Sequence, residues 1–80
     1  MTVYFFDLRD EDALLLDEEG LEFSNLRDVQ EEAAKSLADM ARDAVHGAHH
    51  FSTRCMAIEV RDAAGPVMQV RFNFEVTRWQ

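Results

Sequence analysis

The chain of 80 residues carries 16 acidic against 8 basic side chains, a formal net charge of −8, which repels phosphate backbones and anionic membranes and argues against direct nucleic-acid binding. A single cysteine, Cys55, excludes an internal disulfide and fits a reducing cytoplasm. Apolar residues make up 48%, in alternating or helical patterns, so residues 1–80 read as one globular domain, near the size at which a core needs support from a metal, a disulfide or a partner subunit.

The opening, Met1 to Asp7, lacks the basic and long apolar regions of a signal peptide, so none is expected. No apolar run approaches the ~20 residues of a membrane span. Val3 to Arg9 is aromatic and β-branched and predicts a strand, with Tyr4, Phe6 and Leu8 on one face and Val3, Phe5 and Asp7 on the other. Ala13 to Asp17 predicts a second, short strand that returns across Asp10–Asp12 as a hairpin. Asp17-Glu18-Glu19-Gly20 turns, and Leu21-Glu22-Phe23 leads extended toward a helix.

That helix spans Asn25 to Gly47. Leu26, Val29, Ala33, Leu37, Met40, Ala41 and Ala44 share one sector, opposite Asp28, Glu31, Glu32, Lys35, Asp39, Arg42 and Asp43. Asn25 is the expected N-cap, with Asp28 completing an imperfect capping box, and Gly47 the expected left-handed stop. A polar loop, 48–52, follows. Thr53 to Arg61 alternates, with Met56, Ile58 and Val60 against Cys55, Ala57 and Glu59. Asp62 to Pro66 is a turn by composition, and Val67 to Val76 alternates again with Met68, Val70, Phe72, Phe74 and Val76 inward.

The predicted fold is α+β, a ββαββ two-layer sandwich in which one helix lies on one face of a four-stranded antiparallel sheet. A helix ~10 Å across cannot cover four strands spaced ~4.8 Å apart, and it covers one face only. The far face would hold Val3, Phe5, Cys55 and Ala57, and either this face or an open strand edge is where a second copy of the chain is expected to dock. A short internal echo, Phe6-Asp7-Leu8-Arg9-Asp10 and Ile58-Glu59-Val60-Arg61-Asp62, repeats the pattern apolar, acid, apolar, Arg, Asp. Its plain explanation is that alternating strands ending at acidic turns look alike.

For chemistry, His46, His49, His50 and Cys55 lie within ten residues, and imidazoles with a thiolate are transition-metal ligands. The spacing matches no zinc module, and the simpler reading sets His46 at the negative end of the helix and the other two in a solvated loop. Cys55 as a nucleophile would need an adjacent base. Asp7, Asp10, Asp12, Asp17, Glu18 and Glu19 gather near one hairpin end, but without the spacing of a calcium loop. Phosphate-binding glycine loops, a Gly-x-Ser-x-Gly elbow and a His-Glu-x-x-His pair are all missing from the sequence. Trp79 and Phe51 are aromatics suited to closing a core or anchoring an interface.

Tyr4-Phe5-Phe6-Asp7-Leu8-Arg9-Asp10, the Asp17-Glu18-Glu19-Gly20 turn followed by Leu21-Glu22-Phe23, the Ala-rich helix, and Ile58-Glu59-Val60-Arg61-Asp62 with Gly65 together resemble a family of short uncharacterised proteins of rhizobia and related alphaproteobacteria. Members typically have Gly where Glu11 stands, and Pro-Asp or similar at Ser24-Asn25. The resemblance implies a bacterial cytosolic domain of unknown function, with no catalytic residues to carry over. The expectation is a non-enzymatic, cofactor-free interaction domain, self-associating as a homodimer. Two alternatives are a metal-dependent sensor built on the histidines and Cys55, and an antitoxin-like or transcription-modulating acidic domain that covers a basic protein.

Overall fold

The computed structural model describes residues 1–47 and 53–80. In chain order the elements are β1 (Thr2–Asp10), β2 (Ala13–Leu15), β3 (Leu21–Phe23), α1 (Leu26–Gly47), β4 (Thr53–Asp62) and β5 (Gly65–Glu75). One helix lies against an open antiparallel sheet of five strands, ordered β2-β1-β4-β5, with β3 also paired to β1. The α+β class and the single helix on one face agree with the sequence reading. The strand number differs, because Leu21–Phe23 is a paired strand rather than an extended lead-in to the helix.

β2 and β3 share one edge of β1. Leu15 stands opposite Leu8 and Leu21 opposite Tyr4, so the two are halves of one returning strand whose register slips by two residues at Leu16–Gly20. The slip leaves the Phe6 N–H without a backbone partner. Asp17 supplies the missing acceptor through Oδ2 at 3.0 Å.

The helix begins as its sequence predicts. Asn25 Oδ1 accepts the Asp28 N–H at 2.9 Å, and the Asn25 amide donates to Asp28 Oδ2 at 3.3 Å. Val29, Ala33, Leu37 and Ala41 are buried at four-residue spacing, with Met40 and Ala44 beside them. Against them the sheet presents Tyr4, Met56, Ile58 and Val60, flanked by Phe6, Leu8, Phe23, Val70 and Phe72. Phe23 meets the Phe6 ring edge-on at 5.8 Å and the Tyr4 ring at 6.3 Å. Leu26 belongs to the apolar sector by spacing but is exposed, although Val29 one turn on is fully buried. No helix among the described residues is long and apolar enough to cross a membrane.

Candidate functional site

α1 packs on β3, β4 and β5, which leaves the opposite face of the sheet uncovered. Strand alternation places Phe5, Asp7 and Arg9 of β1 there, opposite Arg61, Glu59 and Ala57 of β4. Asp7 and Glu59 stand directly across from each other, a repulsive pairing alone. Each is neutralised diagonally: Arg61 Nε donates to Asp7 Oδ2 at 2.9 Å, and Arg9 Nε donates to Glu59 Oε2 at 3.0 Å. The internal echo in the sequence is thus the two sides of one ladder. An acid-x-Arg triplet on each of two antiparallel neighbours yields two diagonal ion pairs with local twofold symmetry.

The ladder continues at both ends. Arg61 lies over the Phe5 ring at 4.5 Å and donates to the Asp17 carbonyl at 3.0 Å. Asp7, only 5% exposed, also accepts the Asp17 N–H at 2.9 Å. Asp17 Oδ1 in turn accepts the Glu19 and Gly20 N–H groups, so the Asp-Glu-Glu-Gly turn is tied to the sheet through Asp7 and Arg61. On the other side Gln69 donates to Glu59 at 2.9 Å, and Arg71 donates to Gln69 at 3.1 Å.

Burial raises the pKa of Asp17, but the N–H groups of Phe6, Glu19 and Gly20 and the charge of Arg61 outweigh it and hold the group below its ordinary value. The Arg9 hydrogen bond holds the Glu59 carboxyl low as well, against a weaker opposing effect of burial. Carboxylates held in the charged form by fixed donors are poor proton donors at neutral pH.

The residues expected to form an interface here divide. Val3 and Cys55 are exposed, Phe5 is half-buried under Arg61, and Ala57 is buried between its register neighbours Arg9 and Arg71. His46 is exposed in the last turn of α1, while His49, His50 and Phe51 lie outside the described residues. Among the described residues no group of three or more His, Cys, Asp or Glu side chains is arranged to hold a metal ion.

The sequence reading named an open strand edge in general, without assigning either of the two that the sheet presents. The β2–β3 edge exposes Leu14, Leu15 at 66%, Leu16 and Leu21, among the acidic residues Asp12, Glu18, Glu19 and Glu22. The run Leu14-Leu15-Leu16 was the available signal, but alternation assigns half of such a run to a core. At the other side of the sheet, β5 pairs only with β4 among the described residues. Near its start lies an open groove of about 580 Å³ lined by Asp7, Glu59, Arg61, Pro66, Val67 and Gln69 among others.

A family model described as "Domain of unknown function (DUF6894)" matches residues 3–73. No curated protein and no solved structure matches the chain. With nearly its whole length covered, the chain belongs to this family of unknown function.

Proposed function

We propose that this domain is a non-enzymatic protein-interaction module that self-associates through the open edge of its sheet, in the cytoplasm of an alphaproteobacterium as the sequence motifs suggest. The observation that carries this reading is β5. Its eleven residues form a long edge strand, and an edge strand offers a row of unpaired N–H and C=O groups to another strand. The opposite edge is short, interrupted and plugged by Asp17, which are the devices that discourage strand addition. The helix-free face carries its own ion pairs, which disfavours a flat apolar contact there.

A native mass spectrum of the untagged protein, with and without added Zn²⁺, tests this. The expected result is a dimer whose mass does not change with the metal. A monomer at micromolar concentration contradicts it, and one metal per chain would instead favour the sensor reading built on His46, His49, His50 and Cys55.

A second reading rests on the leucine strip. Four exposed leucines with an acidic border suit a basic, amphipathic segment of another protein, by apolar burial at the centre and charge attraction at the rim. This is the form the antitoxin-like alternative takes on this fold.

A further inference from the structure

We infer that two copies pair antiparallel through β5 about a twofold axis at Asn73, with Trp79 of each copy seated in the groove beside Val67 of the other. The inference rests on self-association and adds to it the edge, the register and the anchor.

The parity of the strand selects which residues can pair. Cys55 donates its N–H to Glu11 Oε1 and accepts the Glu11 N–H at its carbonyl, both at 3.1 Å, so its backbone groups point toward β1. Asn73 stands opposite Cys55 in β5. In an antiparallel ladder a residue opposite one that bonds to the other side directs its own groups outward. Asn73 therefore presents N–H and C=O at the free edge, and so do Arg71 and Glu75, two residues away on either side.

Charge then selects the register. A twofold at Arg71 or at Glu75 would set like charges opposite one another, which destabilises a cross-strand pair. A twofold at Asn73 sets Arg71 opposite Glu75 of the partner, twice, and both are exposed with no ion pair among the described residues. The same register faces Phe72 with Phe74 and Val70 with Val76 on the helix side, where Val76 is otherwise exposed. Aromatic and β-branched cross-strand pairs are favourable ones.

The register also accounts for Trp79, which is 89% exposed. Extending the partner strand past Glu75, where β5 ends in the single chain, brings Trp79 opposite Val67, which lines the groove and also packs against the helix-side core. Val67 is the extra residue at the register shift, where Val60 pairs with Met68 but Arg61 pairs with Pro66. There the groove lined by Pro66, Val67, Gln69 and Arg61 opens. An indole finds an apolar floor and a guanidinium in that groove, the combination favoured by interface tryptophans.

The test uses Arg71→Glu and Glu75→Arg, both at exposed positions, with native mass spectrometry and the emission of Trp79, the single tryptophan. Each variant alone is expected to weaken the dimer at least about tenfold, and an equimolar mixture to form heterodimers about as tightly as the wild-type pairs, because every cross-strand contact becomes Glu against Arg again. Trp79 emission should shift to the blue in the wild-type dimer and return to the red on dilution. A wild-type dimer that both variants leave unchanged overturns this edge and register while self-association stands. A dimer with the emission of a fully solvated indole overturns the seating of Trp79. A wild-type monomer overturns self-association itself and this inference with it.

Discussion

Glu11 and Gly20 occupy left-handed backbone positions, with φ at 55° and 75°, and they carry opposite consequences. An L-residue in this region costs about 1–2 kcal/mol. Glu11 bears that cost while its carboxylate caps the Cys55 N–H, a bond that water can replace at that exposed position. Glu11→Gly should therefore stabilise the fold by about 0.5–1 kcal/mol. At Gly20 a Cβ would lie 2.8 Å from Val3 Cγ1 and 3.0 Å from the Phe5 ring. Gly20→Ala should cost roughly 2–4 kcal/mol, conformational strain and overpacking combined. Urea midpoints at unchanged m-value check both, and equal shifts of the same sign would contradict the assignment. Gly20 was legible as a turn residue from the Asp17-Glu18-Glu19-Gly20 run. What the sequence did not show was that the glycine of the Asp-Glu-Glu-Gly turn is required by contact as well as by φ, because Val3 and Phe5 approach it from a different strand.

At the scale of elements, the helix and the two long strands were legible because each carries a sustained period and its own signals: the Asn25 cap, the Asp62 turn whose Oδ1 accepts the Ala64 and Gly65 N–H groups, and the alternation of β5. β3 was not legible, since three residues show no period and only the neighbouring β1 makes them a strand. The broken return strand depends on Asp17, and this gives it a pH signature. A carboxyl whose folded pKa lies below its unfolded value contributes stability that is complete above the unfolded value and lost as pH falls through the folded one. For Asp17 and Glu59 the ordinary values are 3.8 and 4.5, so stability should begin to fall below about pH 4.5 and continue through the lower folded values. Asp17→Asn should lower stability at neutral pH and make the acid fall shallower than in the wild type. Urea midpoints across that range decide it, and parallel curves for the two proteins would contradict the role given to the Asp17 charge. The ladder itself was half visible. The echo of acid-x-Arg was in the sequence, but its meaning required knowing that β1 and β4 are neighbours, which two hairpins separated by a helix do not specify.

At the scale of the molecule, one helix of 22 residues, about 33 Å long, covers a sheet wider than itself and leaves surface to be accounted for. From sequence, that surface was expected at an open strand edge or on the far face. On the far face Arg9, Arg61 and Arg71 lie over or beside Phe5 and Ala57, and the open surface falls at the two edges: the leucines of β2–β3 and the free side of β5. Long arginine side chains cover apolar neighbours while keeping their charge in water, and no alternation pattern reveals that cover. With β5 given to a second copy, the leucine edge is left to a different protein, so the shape of the assembly follows from which edge is used. Pairing through β5 puts the two Cys55 Cα atoms three strand spacings apart, about 14 Å, whereas pairing through β2 separates them by five, about 24 Å. Cys55 is exposed and is the chain's only cysteine, so nitroxides attached to it in the otherwise unaltered dimer report the choice through their dipolar coupling. Strong broadening from a separation near 14 Å is the result expected of the β5 edge, and a dimer whose labels lie near 24 Å or show no coupling would contradict it.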